Sequence, residues 1–174
     1  MIRIGQANAT IDTPVEHLMA CHRRIEDRLA TLKRAGEHLG ENRTAALEAI
    51  KKSIAFLDSS GALHTEDEEA SLFPRLRPLL RPEEVQYLDS LEAQHREAES
   101  IFSQLKEAVA KLATAPDGGA VLENRYHELA ARLSALYRPH IQSEDEILTR
   151  MARRDLGTDQ LQAISREMRA RREK

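Results

Sequence analysis

Apolar residues recur at steps of three and four along most of the chain, which predicts amphipathic helices rather than strands. The first stripe is Val15, Leu18, His22, Ile25, Leu29 and Leu32. "TPVE" opens that helix, with Thr13 as cap, Pro14 in the first turn and Glu16 completing a capping box. Gly36 and Gly40 bracket its end. A second stripe runs Leu47, Ile50, Ile54, Leu57, Gly61, His64, Glu68, Leu72. It predicts a helix from Asn42 or Thr44 to about Ser71, stopped before Pro74. After "PRLRPLLRP", Pro82 starts a third helix carrying Leu88, Leu91, His95, Ala98, Phe102, Leu105, Val109 and Leu112. "APDGG" is the next break. The fourth stripe is Leu122, Tyr126, Leu129, Leu133, Leu136, His140, Glu144, Ile147 and Met151, ended by Gly157. Pro139 lies inside it and should kink or loosen a turn. A short helix from Thr158 presents Leu161, Ile164 and Met168 for docking, then a basic tail.

Four long helices with short connections predict an all-α fold, an antiparallel up-down-up-down four-helix bundle with a short C-terminal helix. The expected organisation is an N-terminal arm over 1–12, the bundle over 13–155, and the C-terminal helix and tail over 156–174.

Composition agrees with helix and narrows the partners. The 174 residues are 41% hydrophobic and 32% charged, with 7 Gly and 6 Pro, as in a globular helical protein. A net charge of -3 implies no large basic surface, so no nucleic-acid partner is expected. No apolar run reaches about 18 residues, so no membrane span is expected. A single cysteine, Cys21, excludes an internal disulfide framework and suits a reducing compartment, so the expected location is cytoplasmic.

The stripes themselves carry chemistry. Each long helix places one histidine on its apolar face, followed four residues later by glutamate: "HRRIE", "HTEDE", "HREAE" and "HIQSE". In the second and fourth helices the stripe steps by four onto Glu68 and Glu144, which should point inward. In the first and third it steps by three, leaving Glu26 and Glu99 on the flank. At 1.5 Å per residue, His22 and His64 lie about 12 Å, and His95 and His140 roughly 18–21 Å, from helix ends that share one side of such a bundle. Six side chains should therefore meet in one internal layer. Buried imidazoles and carboxylates must be neutralised, paired or metal-bound. Imidazole suits iron, zinc and copper, and carboxylate can bridge. Six mixed donors point to two metal ions, with iron the expected metal and oxide or hydroxide adding negative charge. A single structural zinc takes only four ligands, though zinc can substitute for ferrous iron.

The order His22, His64-x-x-x-Glu68, His95, His140-x-x-x-Glu144, with "CHRRIE" and "EEASLFP", resembles the hemerythrin-like, or HHE cation-binding, domains over roughly residues 13–152. The resemblance implies a non-haem di-iron centre with both glutamates bridging. It implies a small diatomic ligand (oxygen or nitric oxide) or peroxide. It also implies alternative roles in peroxide or nitric oxide detoxification, iron-centre repair, or iron and oxygen sensing through a protein partner, for which the C-terminal helix is the expected contact. Two departures from the oxygen carriers stand out. Glu99 occupies the place of their second histidine on the third helix. Asp145 has the spacing of their aspartate, while Glu144 fits the stripe. Cys21 is expected to pack as a small buried residue, with a reactive thiol the alternative, and Tyr137 to pack one turn before His140.

Overall fold

The computed structural model describes residues 11–115 and 119–173. Most of the expected N-terminal arm and part of "APDGG" lie outside the described residues. No strand occurs among the described residues; the chain is a bundle of helices. Helix α1 spans Pro14–Glu37. Thr13 precedes it without a side-chain cap hydrogen bond, so the expected capping box is not formed. Its backbone still serves, since the His17 N–H donates to the Thr13 carbonyl at 2.9 Å.

The second helical run is built in segments: α2 (Arg43–Phe56), a π turn (Leu57–Gly61), α3 (Ala62–Asp67), a second π turn (Glu68–Leu72), α4 (Phe73–Leu76) and a 3₁₀ turn (Arg77–Leu79). Asn42 caps its start by accepting from Ala45 N–H at 3.4 Å. The run does not stop at Ser71 but passes Pro74. Proline inside a helix lacks an N–H and crowds the carbonyl four residues back. The wide turn immediately before Pro74 relieves both constraints.

Helix α5 covers Pro82–Thr114 without interruption. Helix α6 (Ala120–Ser143) contains Pro139 and leads into a third π turn (Glu144–Leu148), then α7 (Thr149–Asp155). The loosened turn expected at Pro139 thus falls one turn later, on Glu144. Thr149 Oγ1 donates back to the Glu144 carbonyl at 3.2 Å, serving one group the wide turn frees. The inserted residue also shifts the helix phase: Leu148 is buried, whereas Ile147, expected inside, is 40% exposed. On α5, Ile101 is buried and Phe102 only half-buried, the reverse of the expected weighting.

Helix α8 (Thr158–Arg172) folds back against α1, α3 and the Glu68–Leu72 turn. Ile164 and Met168 are fully buried there. Beside them, Asp67 is fully buried between two guanidinium groups: Arg171 Nη1 donates to it at 2.8 Å and Arg172 Nη2 at 2.7 Å. Arg75 and Ser71 both donate to Glu167, at 2.7 and 2.6 Å. A buried carboxylate is tolerated when it is paired in this way.

The apolar core forms two clusters. One contains Ile25, Leu57, Ala98 and Leu133; the other contains Leu18, Leu72, Leu91 and Leu148. In every long helical run the stripe histidine lies between a residue of one cluster and a residue of the other. Each fully buried leucine contributes about 1.5–3 kcal/mol, so both clusters are strongly held and a polar layer is clamped between them.

Candidate metal centre

All four stripe histidines and both inward glutamates are buried: His22, His64, His95 and His140, with Glu68 and Glu144 essentially without exposure. The imidazoles meet in two pairs. His22 Nε2 lies 3.1 Å from His64 Nε2, and His95 Nε2 lies 3.1 Å from His140 Nε2. Both carboxylates stand between the pairs. Glu68 Oε2 is 3.5 Å from the Nε2 of His64 and of His95. Glu144 Oε2 is 3.1 Å from His22 Nε2 and 3.2 Å from His140 Nε2. The two groups with metal-ligand spacing among the described residues are His22, His64, Glu68, Glu144 and His95, His140, Glu144. Glu68 and Glu144 sit on two of the three π turns among the described residues.

A second set of side chains fixes how the rings face. Asp145 Oδ1 accepts from His22 Nδ1 at 2.7 Å, and Glu69 Oε1 accepts from His95 Nδ1 at 2.8 Å. Gln94 Oε1 accepts from His140 Nδ1 at 2.8 Å. Carboxylate and amide oxygens accept, so in each pair Nδ1 carries the proton and the Nε2 lone pair faces the centre. His64 Nδ1 has no such acceptor. None of these three acceptors was singled out as a partner in the sequence. Glu26 and Glu99 are exposed and belong to neither donor group.

The donor set fits cations. Inward lone pairs 3.1 Å apart repel unless something positive lies between them. All four carboxylate oxygens of Glu68 and Glu144 are buried without a hydrogen-bond partner, an arrangement that costs several kcal/mol when nothing compensates it. With a metal–nitrogen distance of about 2.0–2.1 Å, two ligands at right angles stand roughly 3 Å apart, which is the spacing within each imidazole pair.

Without cations, protons must do this work, and the six groups are pushed in opposite directions. Burial opposes a charged His22, but the hydrogen bond to Asp145 and the neighbouring carboxylates of Glu144 and Glu68 outweigh it and push its pKa up to about 12. Burial likewise opposes a charged His95, yet Glu144, Glu68 and Glu69 raise it to about 9. Burial takes His140 down to about 4, and burial with the neighbouring His22 takes His64 well below the usual range. Glu68 is raised by burial and by Glu144. Glu144 is lowered because His22 and His95 overcome its burial.

Two openings adjoin the layer. A cavity of about 10 Å³ borders His22, Glu68 and Glu144 and is walled by Leu18, Leu72, Leu148 and Ala152. A much larger cleft of about 560 Å³ reaches His95 and Tyr137 from the side. Tyr137 packs edge-on to His140 with ring centroids 5.9 Å apart. Cys21 is buried, and Arg24 donates to its sulfur at 2.8 Å. Its pKa is raised by burial, so it behaves as packing rather than as a reactive thiol.

A buried layer of four histidines and two glutamates within a helical bundle defines a class of metal-binding helical protein. The profile of the Hemerythrin HHE cation binding domain matches residues 13–152, and the chain belongs to that family. It is also similar to an uncharacterized protein of Haemophilus influenzae, 28% identical over 173 residues, which cover 97% of this chain and 95% of that protein. Among the described residues no helix is long and apolar enough to cross a membrane.

Proposed function

We propose that this chain is a non-haem di-iron protein that binds or responds to oxygen, nitric oxide or peroxide. His22 and His64 would hold one iron, His95 and His140 the other, with Glu68 and Glu144 bridging. The observation that carries this reading is the pairing of imidazole edges at 3.1 Å with both carboxylates between the pairs. Bound iron would supply a redox-active centre that takes up a small ligand. Asp145, Glu69 and Gln94 keep the Nδ1 protons away from the centre and so aim the Nε2 lone pairs at it. Leu18, Leu72 and Leu148 wall one side, and the space of about 10 Å³ beside Glu68 and Glu144 is at the lower limit for a single water-sized ligand.

The same reading extends to the architecture. The cluster containing Leu18 and Leu91 takes the early parts of α1 and α5, yet it takes Leu72 and Leu148 from the late parts of the second and fourth runs. That alternation supports an up-down-up-down bundle over residues 13–155 with α8 as an appended clasp. A single cysteine fits a reducing, cytoplasmic home.

Anaerobic loading with ferrous iron tests the proposal. About two irons per chain are expected, followed by absorption changes on adding oxygen, nitric oxide or peroxide. No retained iron, or retention unchanged in His95→Ala, would overturn it. Acid should release the metal as the imidazoles take up protons.

A further inference from the structure

The large cleft is not explained by a small ligand. At about 560 Å³ it falls within the size range of sites for small organic molecules. Apart from His95, the buried part of its lining is apolar, from Leu57, Gly61, Ala98 and Leu133, with Phe102 and Tyr137 half-buried beside them. The π turn Leu57–Gly61 forms part of its wall and carries none of the six metal-site residues. Wide turns of this kind are concentrated at functional sites, and the other two among the described residues carry Glu68 and Glu144.

The polar lining selects the occupant. Four carboxylates face the cleft, from Asp58, Glu66, Glu69 and Glu99, against the two cations of Arg96 and Lys106. Asp58 is engaged by Lys106 at 2.6 Å, and Glu66 by Arg171 at 3.3 Å. Glu69 spends only Oε1, on His95; its Oε2 has no hydrogen-bond partner among the described residues. The chain already shows how an amine sits here: the Lys106 ammonium rests on Asp58 and lies 5.2 Å from the centre of the Phe102 ring. The cleft carboxylates do not gather at metal-ligand spacing, because both such groups among the described residues lie in the central layer.

We propose that this cleft binds a small organic amine, its ammonium on the free oxygen of Glu69 and its apolar body against Phe102 and Tyr137. The occupant would then share one carboxylate with His95, so its arrival is felt at the edge of the metal layer. The site is formed by the chain itself and does not require iron.

Calorimetric titration of the full chain with tyramine, metal-free and iron-loaded, tests this. Saturation with a Kd at or below about 1 mM is expected, with 4-hydroxyphenylacetate, a similar body bearing the opposite charge, at least about tenfold weaker. Ser103 lines the cleft on α5 but is exposed and eight residues beyond His95. Ser103→Trp should weaken tyramine at least about tenfold while leaving iron content and Tm unchanged. Glu69→Gln, which keeps an oxygen for His95, should weaken it similarly. Absence of saturation, equal binding of the acid, or tyramine binding indifferent to Ser103→Trp would overturn the proposal. Failed iron loading with tyramine binding intact would overturn the di-iron reading alone.

Discussion

Asp145 holds the Nδ1 proton of His22 at 2.7 Å, and this one acceptor decides which edge of the ring looks inward. Asp145→Ala should leave the ring free to turn. Iron retention is expected to fall about 10–100-fold, measured by competition with a chelator. A second residue-scale effect lies far from the metal layer. A Cβ at Gly36 would stand 2.6 Å from Tyr126 Cε1 and 2.9 Å from His127 Cε1. Tyr126 cannot easily yield, because it is fully buried and its hydroxyl donates to the Leu32 carbonyl at 2.6 Å. Gly36→Ala is expected to destabilise the chain by about 1–3 kcal/mol in urea unfolding. In the sequence Gly36 reads only as the end of a helix, whereas here Tyr126 and His127 of α6 pack directly over it. The six inward donors were legible because each falls on an apolar stripe, a property of one helix alone. The outer acceptors were not. Glu69 adjoins Glu68 in the chain yet serves His95 on another helix, so its role depends on which helices are neighbours.

At the scale of elements, the stripes located α1, α5, α6 and α8 closely, because long runs at helical spacing leave little ambiguity. They missed the π turns. One inserted residue changes no composition and leaves only a phase slip, the exchange of Ile147 for Leu148 on the inner face. The extension through Pro74 was hidden for the same reason, since only a wide turn makes that proline acceptable. Helix α8 offers a test at this scale. Its Glu167 carboxyl is held below the usual range by the hydrogen bond from Arg75, against slight burial. The folded-state pKa therefore lies below the unfolded one. The pairing contributes fully above the unfolded value of about 4.3 and is lost as pH falls through the folded value. Glu167 is 42% exposed, so screening keeps the effect small. Below about pH 4, α8 should become easier to cleave in limited proteolysis, and Glu167→Gln should flatten that dependence.

For the molecule as a whole, the four helical runs bring two apolar clusters together with a polar layer between them. The arrangement explains how stripes that point into a core can carry histidine and glutamate. The stripes do enter a core, but a core with a seam across it. Helix α8 belongs to one side of that seam through Ile164 and Met168, and it grips Asp67, the residue before Glu68.

The seam has a consequence for how the protein comes apart. Hydrocarbon cohesion runs within each cluster but not across the histidine layer, so the metal-free chain should behave as two cooperative units. Amide hydrogen exchange should then show one set of protection factors around Leu32, Leu105 and Leu129 and a distinctly lower one around Leu72, Met151 and Ile164. Cations spanning the layer would weld the two, and on loading the sets should converge on a single opening reaction.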